Sequence, residues 1–168
     1  MEKTGNRLFF FLGDEYKTLR FGKCLAEMFK ILDKYPALFF SGPLGAGKTT
    51  MIRGIVRAMP GGHEAEVSSP SFNILNIYPT RPETAHFDLY RTSGIGLDPE
   101  SEEVLLDEGM FIVVEWSEFL REDLWPENYV LIELSLESHG RSARVTVKDY
   151  ALKQMILDFA GTDFSVTG

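Results

Sequence analysis

Gly42-Pro43-Leu44-Gly45-Ala46-Gly47-Lys48-Thr49 follows the apolar run of residues 37–40, and that juxtaposition constrains the chain more than any other feature. A strand that breaks into glycines and reopens as a helix at Lys48 is the setting in which G-x-x-x-x-G-K-[ST] cradles phosphate. Glycines let the loop wrap so that backbone N–H groups point at an anion, and the helix N-terminus adds partial positive charge. In such a loop Gly42, Leu44, Gly45, Ala46, Gly47 and Thr50 line the phosphates. Lys48 neutralises the β- and γ-phosphates, and the Thr49 hydroxyl holds Mg²⁺. A nucleoside triphosphate is the expected ligand.

Length and composition narrow the setting. At 168 residues, with 44% apolar and 12% aromatic content, one globular domain with one core is expected. Its core spans residues 8–148, and residues 149–168 add a terminal helix and a flexible tail. No apolar run approaches the ~20 residues that cross a bilayer. The start, Met-Glu-Lys-Thr-Gly-Asn-Arg, carries no secretory core, and Cys24 is the single cysteine, so a cytoplasmic protein without membrane contact is expected. Cys24 reads as a half-buried, inert thiol on a helix flank. The net charge of −8 argues against an autonomous grip on RNA or DNA, which depends on basic side chains displacing counterions.

The remaining pattern alternates strands with helices. Residues 8–12 form a short apolar strand. Phe21, Leu25, Met28, Phe29 and Leu32 recur at helical spacing behind an Asp14 N-cap, and Tyr35-Pro36 stops that helix. The phosphate-loop helix closes before Pro60. Strands are predicted over 72–78, 84–90 and 111–114, with a short acidic helix over 101–107. Residues 129–136 and 143–147 alternate around a turn at 138–140, as an antiparallel hairpin at a sheet edge would. Residues 150–159 form a last helix, and 161–168 fray. The fold class is therefore α/β: a phosphate-loop NTPase-like sandwich with a mostly parallel central sheet and an antiparallel C-terminal hairpin.

Hydrolysis or transfer needs an acid beside the metal. Glu115 ends the buried run of residues 111–114, so its carboxylate emerges at the C-terminal edge of a strand, where α/β sheets place ligands. Asp88 lies in His86-Phe87-Asp88-Leu89-Tyr90-Arg91, where alternation sets Phe87 and Leu89 on one face and His86, Asp88 and Tyr90 on the other. Pattern alone would make the latter the polar face of an ordinary strand. His63, His86 and His139 are scattered and offer no zinc spacing.

Residues 42–50, Ser69-Pro70-Ser71-Phe72, His86 to Arg91 and Val114-Glu115-Trp116 occur in that order. Together they resemble the TsaE family (also called YjeE), small bacterial ATPases of the tRNA threonylcarbamoyladenosine pathway, over residues 8–148. The resemblance implies an ATPase required for N6-threonylcarbamoyladenosine formation in tRNA. It would act on the TsaD–TsaB complex and meet tRNA only indirectly, through those partners. It also implies that Lys48 and Thr49 hold phosphate and Mg²⁺, that Glu115 serves the metal and that Asp88 is a catalytic residue facing it. Ser69 and Ser71 would lie in a switch-like loop, and Trp116 near the nucleotide. Ser71 stands where the family usually has Thr. Pro43 stands where it typically has Asp, which removes one N–H and one carboxylate beside the loop.

Either Asp88 or Glu115 would orient the attacking water. Arg53, Arg57 and Arg91 carry no arginine-finger signature, so a slow enzyme activated by a partner is expected. The alternatives are a small-molecule or nucleoside kinase and a nucleotide-sensing binding module. A kinase usually has an Arg-rich lid, whereas Glu118, Glu122 and Asp123 make the segment after Glu115 acidic.

Overall fold

Asp14 begins the first helix by accepting the Lys17 backbone N–H at 2.7 Å, satisfying one of the donors left open at a helix start. That helix, α1 (Glu15–Leu32), turns Phe21, Leu25, Met28 and Phe29 inward and ends at a left-handed Asp33. The computed structural model describes residues 6–161 and 163–167. After β1 (Arg7–Leu12) and α1 come β2 (Ala37–Ser41), α2 (Lys48–Ala58), β3 (Leu75–Tyr78) and β4 (Thr84–Asp88). They are followed by α3 (Pro99–Leu105), β5 (Phe111–Glu115), β6 (Tyr129–Leu136), β7 (Arg141–Val147), α4 (Tyr150–Ala160) and β8 (Ser165–Thr167).

Among the described residues, eight strands form one sheet in the order β3-β4-β5-β2-β6-β7-β1-β8. Its centre, β4-β5-β2-β6, is parallel, and antiparallel ladders extend it on both flanks. This is the α/β sandwich read from the sequence, including the antiparallel β6–β7 hairpin. β4 and β5 are buried along their whole length, as strands covered on both faces must be. One face packs Phe40, Phe111 and Ile132 against α1, α2 and α4. The other, with Phe39, Phe87 and Val114, is closed by α3 and the 3₁₀ turns Ser117–Phe119 and Glu122–Leu124.

Three local expectations are revised. Residues 72–74 do not extend β3, because Ile74 is left-handed (φ 65°) and accepts the Asp88 backbone N–H, so pairing starts at Leu75. The hairpin is not at an edge, since β1 pairs along the full length of β7 and β8 adds beyond it. Nor does all of 161–168 fray: Phe164 packs edge-on against Phe21 at 5.1 Å, Asp163 pairs with Arg20, and β8 joins β1. Residues 162 and 168 of that tail lie outside the described residues.

α1 and α2 approach backbone to backbone. A Cβ on Gly22 would stand 2.2 Å from the Met51 carbonyl oxygen, and one on Gly54 would stand 2.1 Å from that of Leu19. This reciprocal contact fixes α2, and with it the phosphate loop, against α1. Gly54→Ala must push the helices apart and is expected to cost about 1–3 kcal/mol in urea unfolding. An unchanged unfolding midpoint would contradict the close approach.

Candidate nucleotide-binding site

The loop after β2 turns along the backbone of β6: a Cβ on Gly42 (φ 130°) would lie 2.2 Å from the Leu134 carbonyl oxygen. Gly47, the N-cap of α2, has φ 102°, a conformation that costs L-residues with side chains but not glycine. Pro43 stands within the loop, where its carbonyl accepts the Ala46 N–H at 3.1 Å. Opening above the loop is a cleft of about 320 Å³ lined by Leu44, Gly45, Gly47, Lys48, Thr49, Thr50, Ser69, Asp88, Glu115, Trp116 and others. Apolar grooves of about 440 and 550 Å³ beside Pro36 are larger, but neither is lined by glycine or by the loop.

Lys48 is folded back on its own loop. Its Nζ donates to the Gly42 and Pro43 carbonyls at 2.6 and 3.0 Å and lies 4.0 Å from the centre of the Trp116 ring. Burial pushes the ammonium below its ordinary pKa, while Glu115, Glu118 and Asp88 act in the opposite direction. Trp116 leaves β5 in the left-handed region (φ 57°), a conformation costing a non-glycine residue roughly 1–2 kcal/mol, and thereby faces the lysine. Its ring also meets Tyr90 at 4.9 Å and stacks on Phe119 at 6.1 Å.

Parity and register bring the acids together. Phe111 and Val113 face α1 and α2, so Glu115, two residues on, shares that face; Asp88 stands opposite it across the β4–β5 pair. The Thr49 hydroxyl lies 2.9 and 3.1 Å from the two Glu115 oxygens, and His86 Nε2 lies 2.9 Å from Oε1. An ionised carboxylate can only accept, which puts the imidazole hydrogen on Nε2. His86 Nδ1 faces the Tyr78 hydroxyl at 3.3 Å, and that hydroxyl also reaches the Ser68 carbonyl at 3.2 Å. Asp88 accepts the Tyr90 backbone N–H at 2.9 Å through Oδ1, and the Ser69 hydroxyl donates to Oδ2.

These groups suit a phosphate chain with a divalent cation. The loop presents a glycine N-cap and an ammonium whose present acceptors are neutral carbonyls. A hydroxyl and a carboxylate lie side by side at the start of α2, the donor set Mg²⁺ takes when phosphate oxygens and waters complete its shell. Lys48, Thr49, Thr50, Asp88, Glu115, Trp116 and Ser69 therefore all meet in one cleft; Ser71 is not among its lining residues. Sequence reasoning missed His86 as the partner of Glu115, although alternation had placed it on the Asp88 face. It also missed Arg141, which lines the cleft from the start of β7. Cys24 is half-buried, and burial raises its thiol pKa.

Residues 12–145 match the family described as Threonylcarbamoyl adenosine biosynthesis protein TsaE. The tRNA threonylcarbamoyladenosine biosynthesis protein TsaE of Haemophilus influenzae is 30% identical over 158 residues, covering 89% of this chain and 96% of the relative. Its namesake from Rickettsia felis is 33% identical over 156 residues, 88% of this chain and 84% of that protein. The Streptomyces coelicolor protein of the same name is 40% identical over 109 residues, 61% and 69% of the two chains. The crystal structure of Bacillus subtilis YdiB shares the fold, with a TM-score of 0.67 at 21% identity, covering 94% of this chain and 96% of that one. With the family match running from the end of β1 into β7 and taking in every group of the cleft, the chain belongs to the TsaE family.

Proposed function

We propose that this protein is a Mg²⁺-dependent ATPase of tRNA threonylcarbamoyladenosine biosynthesis that works on a TsaD–TsaB complex in the cytoplasm, meeting tRNA through those partners. The observation that carries the ATPase reading is the convergence of Lys48, Thr49, Glu115 and Asp88 on one cleft at the C-terminal ends of β2, β4 and β5. The pathway assignment rests on family membership.

Lys48 exchanges the Gly42 and Pro43 carbonyls for β- and γ-phosphate oxygens, a stronger, charge-assisted set of acceptors. Thr49 and Glu115 would hold Mg²⁺, which would supply charge stabilisation at the transferred phosphoryl group when bound. His86 keeps the Glu115 carboxylate turned toward Thr49. Asp88, held by the Tyr90 N–H and the Ser69 hydroxyl, is the carboxylate that orients the attacking water. The two donors fix its orientation and leave acceptor capacity for a water in the cleft.

Hydrolysis measured on the pure protein, then with TsaD and TsaB, tests this reading. Stimulation by the partners, with at least a ~100-fold loss in Lys48→Ala, is expected. Vigorous hydrolysis by the protein alone, indifferent to both partners, would contradict it.

Asp88→Asn is expected to lower kcat by about 10²–10⁴ while ATP affinity stays within about threefold. A matching loss of affinity would make Asp88 a binding group instead. His86→Phe leaves the buried Glu115 with one donor fewer and is expected to destabilise by on the order of 2–3 kcal/mol in urea unfolding. An unchanged midpoint would remove His86 from that supporting role.

A further inference from the structure

Arg141 opens β7 one residue after the Gly140 turn and lines the cleft together with Gly47, Lys48 and Thr50. Strand order separates it from the acids. β5 and β4, which carry Glu115 and Asp88, lie on one side of β2, and β6 and β7 lie on the other. Its guanidinium is pressed against the phosphate loop: a Cβ on Gly47 would stand 2.3 Å from Nη1 and 3.3 Å from Cζ. Nε is buried and has no hydrogen-bond partner. Glu15, a carboxylate lining the same cleft, pairs instead with Arg53 at 3.9 Å, and no ion pair to Arg141 forms among the described residues.

That isolation is specific to the position. Three residues further along the same strand, Arg144 meets Glu133 across the hairpin with Nε and Nη2 at 2.7 and 2.5 Å, a complete fork. A buried guanidinium N–H left open costs free energy in the unliganded protein, and here it does so in a cleft that a second cation, Lys48, also lines. An anion entering the loop would satisfy both. The planar guanidinium suits phosphate oxygens better than an ammonium does, because it can donate two parallel hydrogen bonds.

We propose that Arg141 binds the α- and β-phosphate oxygens of the nucleotide from the β6–β7 side of the loop, so that it grips the diphosphate common to ADP and ATP. This rests on the reading of the cleft as a nucleotide site. Arg141 is then a binding residue across the loop from the acids that serve the transferred phosphoryl group, and the hairpin turn is the device that delivers it.

Calorimetric titration of ADP and of ATP, each with Mg²⁺, onto the full chain tests this in wild type, Arg141→Ala and Arg141→Lys, with urea unfolding of each. Arg141→Ala is expected to weaken ADP and ATP by the same factor, roughly 10- to 100-fold, with the urea midpoint retained. Arg141→Lys is expected to recover only part of the loss. Unchanged ADP affinity in Arg141→Ala, or a loss confined to ATP, would overturn the assignment while leaving the nucleotide site intact. A lowered midpoint in Arg141→Ala, with ADP affinity fully restored by lysine, would make the residue structural and overturn it too. Failure of the wild-type protein to bind either nucleotide would instead bring down the reading of the cleft, and the proposal with it.

Discussion

The parallel pairing of β2 with β5, which sets Phe40 beside Glu115, fixes the geometry on which the cleft depends. β2 ends one residue later and becomes the phosphate loop, so the acid at the end of β5 stands next to the start of α2. A slip of one residue in β5 would turn Glu115 to the other face and expose it to the cluster around Phe87 and Val114. The apolar side chains of β5, buried on both faces, hold that register: Phe111 and Val113 toward the helices, Ile112 and Val114 away from them. Chemistry at the strand end is thus positioned by hydrophobic packing within the strand.

Burial then raises the stakes for every polar group at that edge. Glu115 is 2% exposed, and His86 is fully buried. A carboxylate so placed costs several kcal/mol unless donors meet it, and Thr49 and His86 are those donors. The Tyr78 hydroxyl connects His86 to the Ser68 carbonyl, and the next residue, Ser69, is bound to Asp88. The loop before β3 is therefore tied to both acids through hydrogen bonds, while Val67 anchors it in the core. Such ties rearrange when a charged ligand changes the balance of donors and acceptors, which gives a phosphate-binding event a route to a loop that faces solvent at Phe72.

Much of this was legible in the sequence because it is local. Asp14 caps α1, the glycines precede α2, and the apolar run before Glu115 is a buried strand; each follows from spacing within about ten residues. The Asp88 face is legible from alternation alone, and the role proposed for the acid on it comes from the resemblance to one family. What stayed hidden is non-local. No pattern in β6 and β7 announces that β6 pairs with β2, so nothing in the sequence brings Arg141 to Gly47. The docking of Phe164 on Phe21 and the strand after it depend on a groove that exists only once α1 and β1 have folded. Ile74, left-handed despite its branched Cβ, shortened a strand that composition extends to Phe72.

The central claim is that Lys48, now held by the Gly42 and Pro43 carbonyls and the Trp116 ring, leaves them for phosphate. The protein has two tryptophans, so Trp125→Phe leaves Trp116 as the only indole beside the lysine. Titrating ADP with Mg²⁺ into that variant while following tryptophan emission, with binding measured calorimetrically on the same samples, reads the exchange directly. The account predicts a saturable change in emission that tracks binding and is lost with Lys48→Ala. Binding of equal affinity and equal emission change with and without the lysine, or no binding at all, would contradict it.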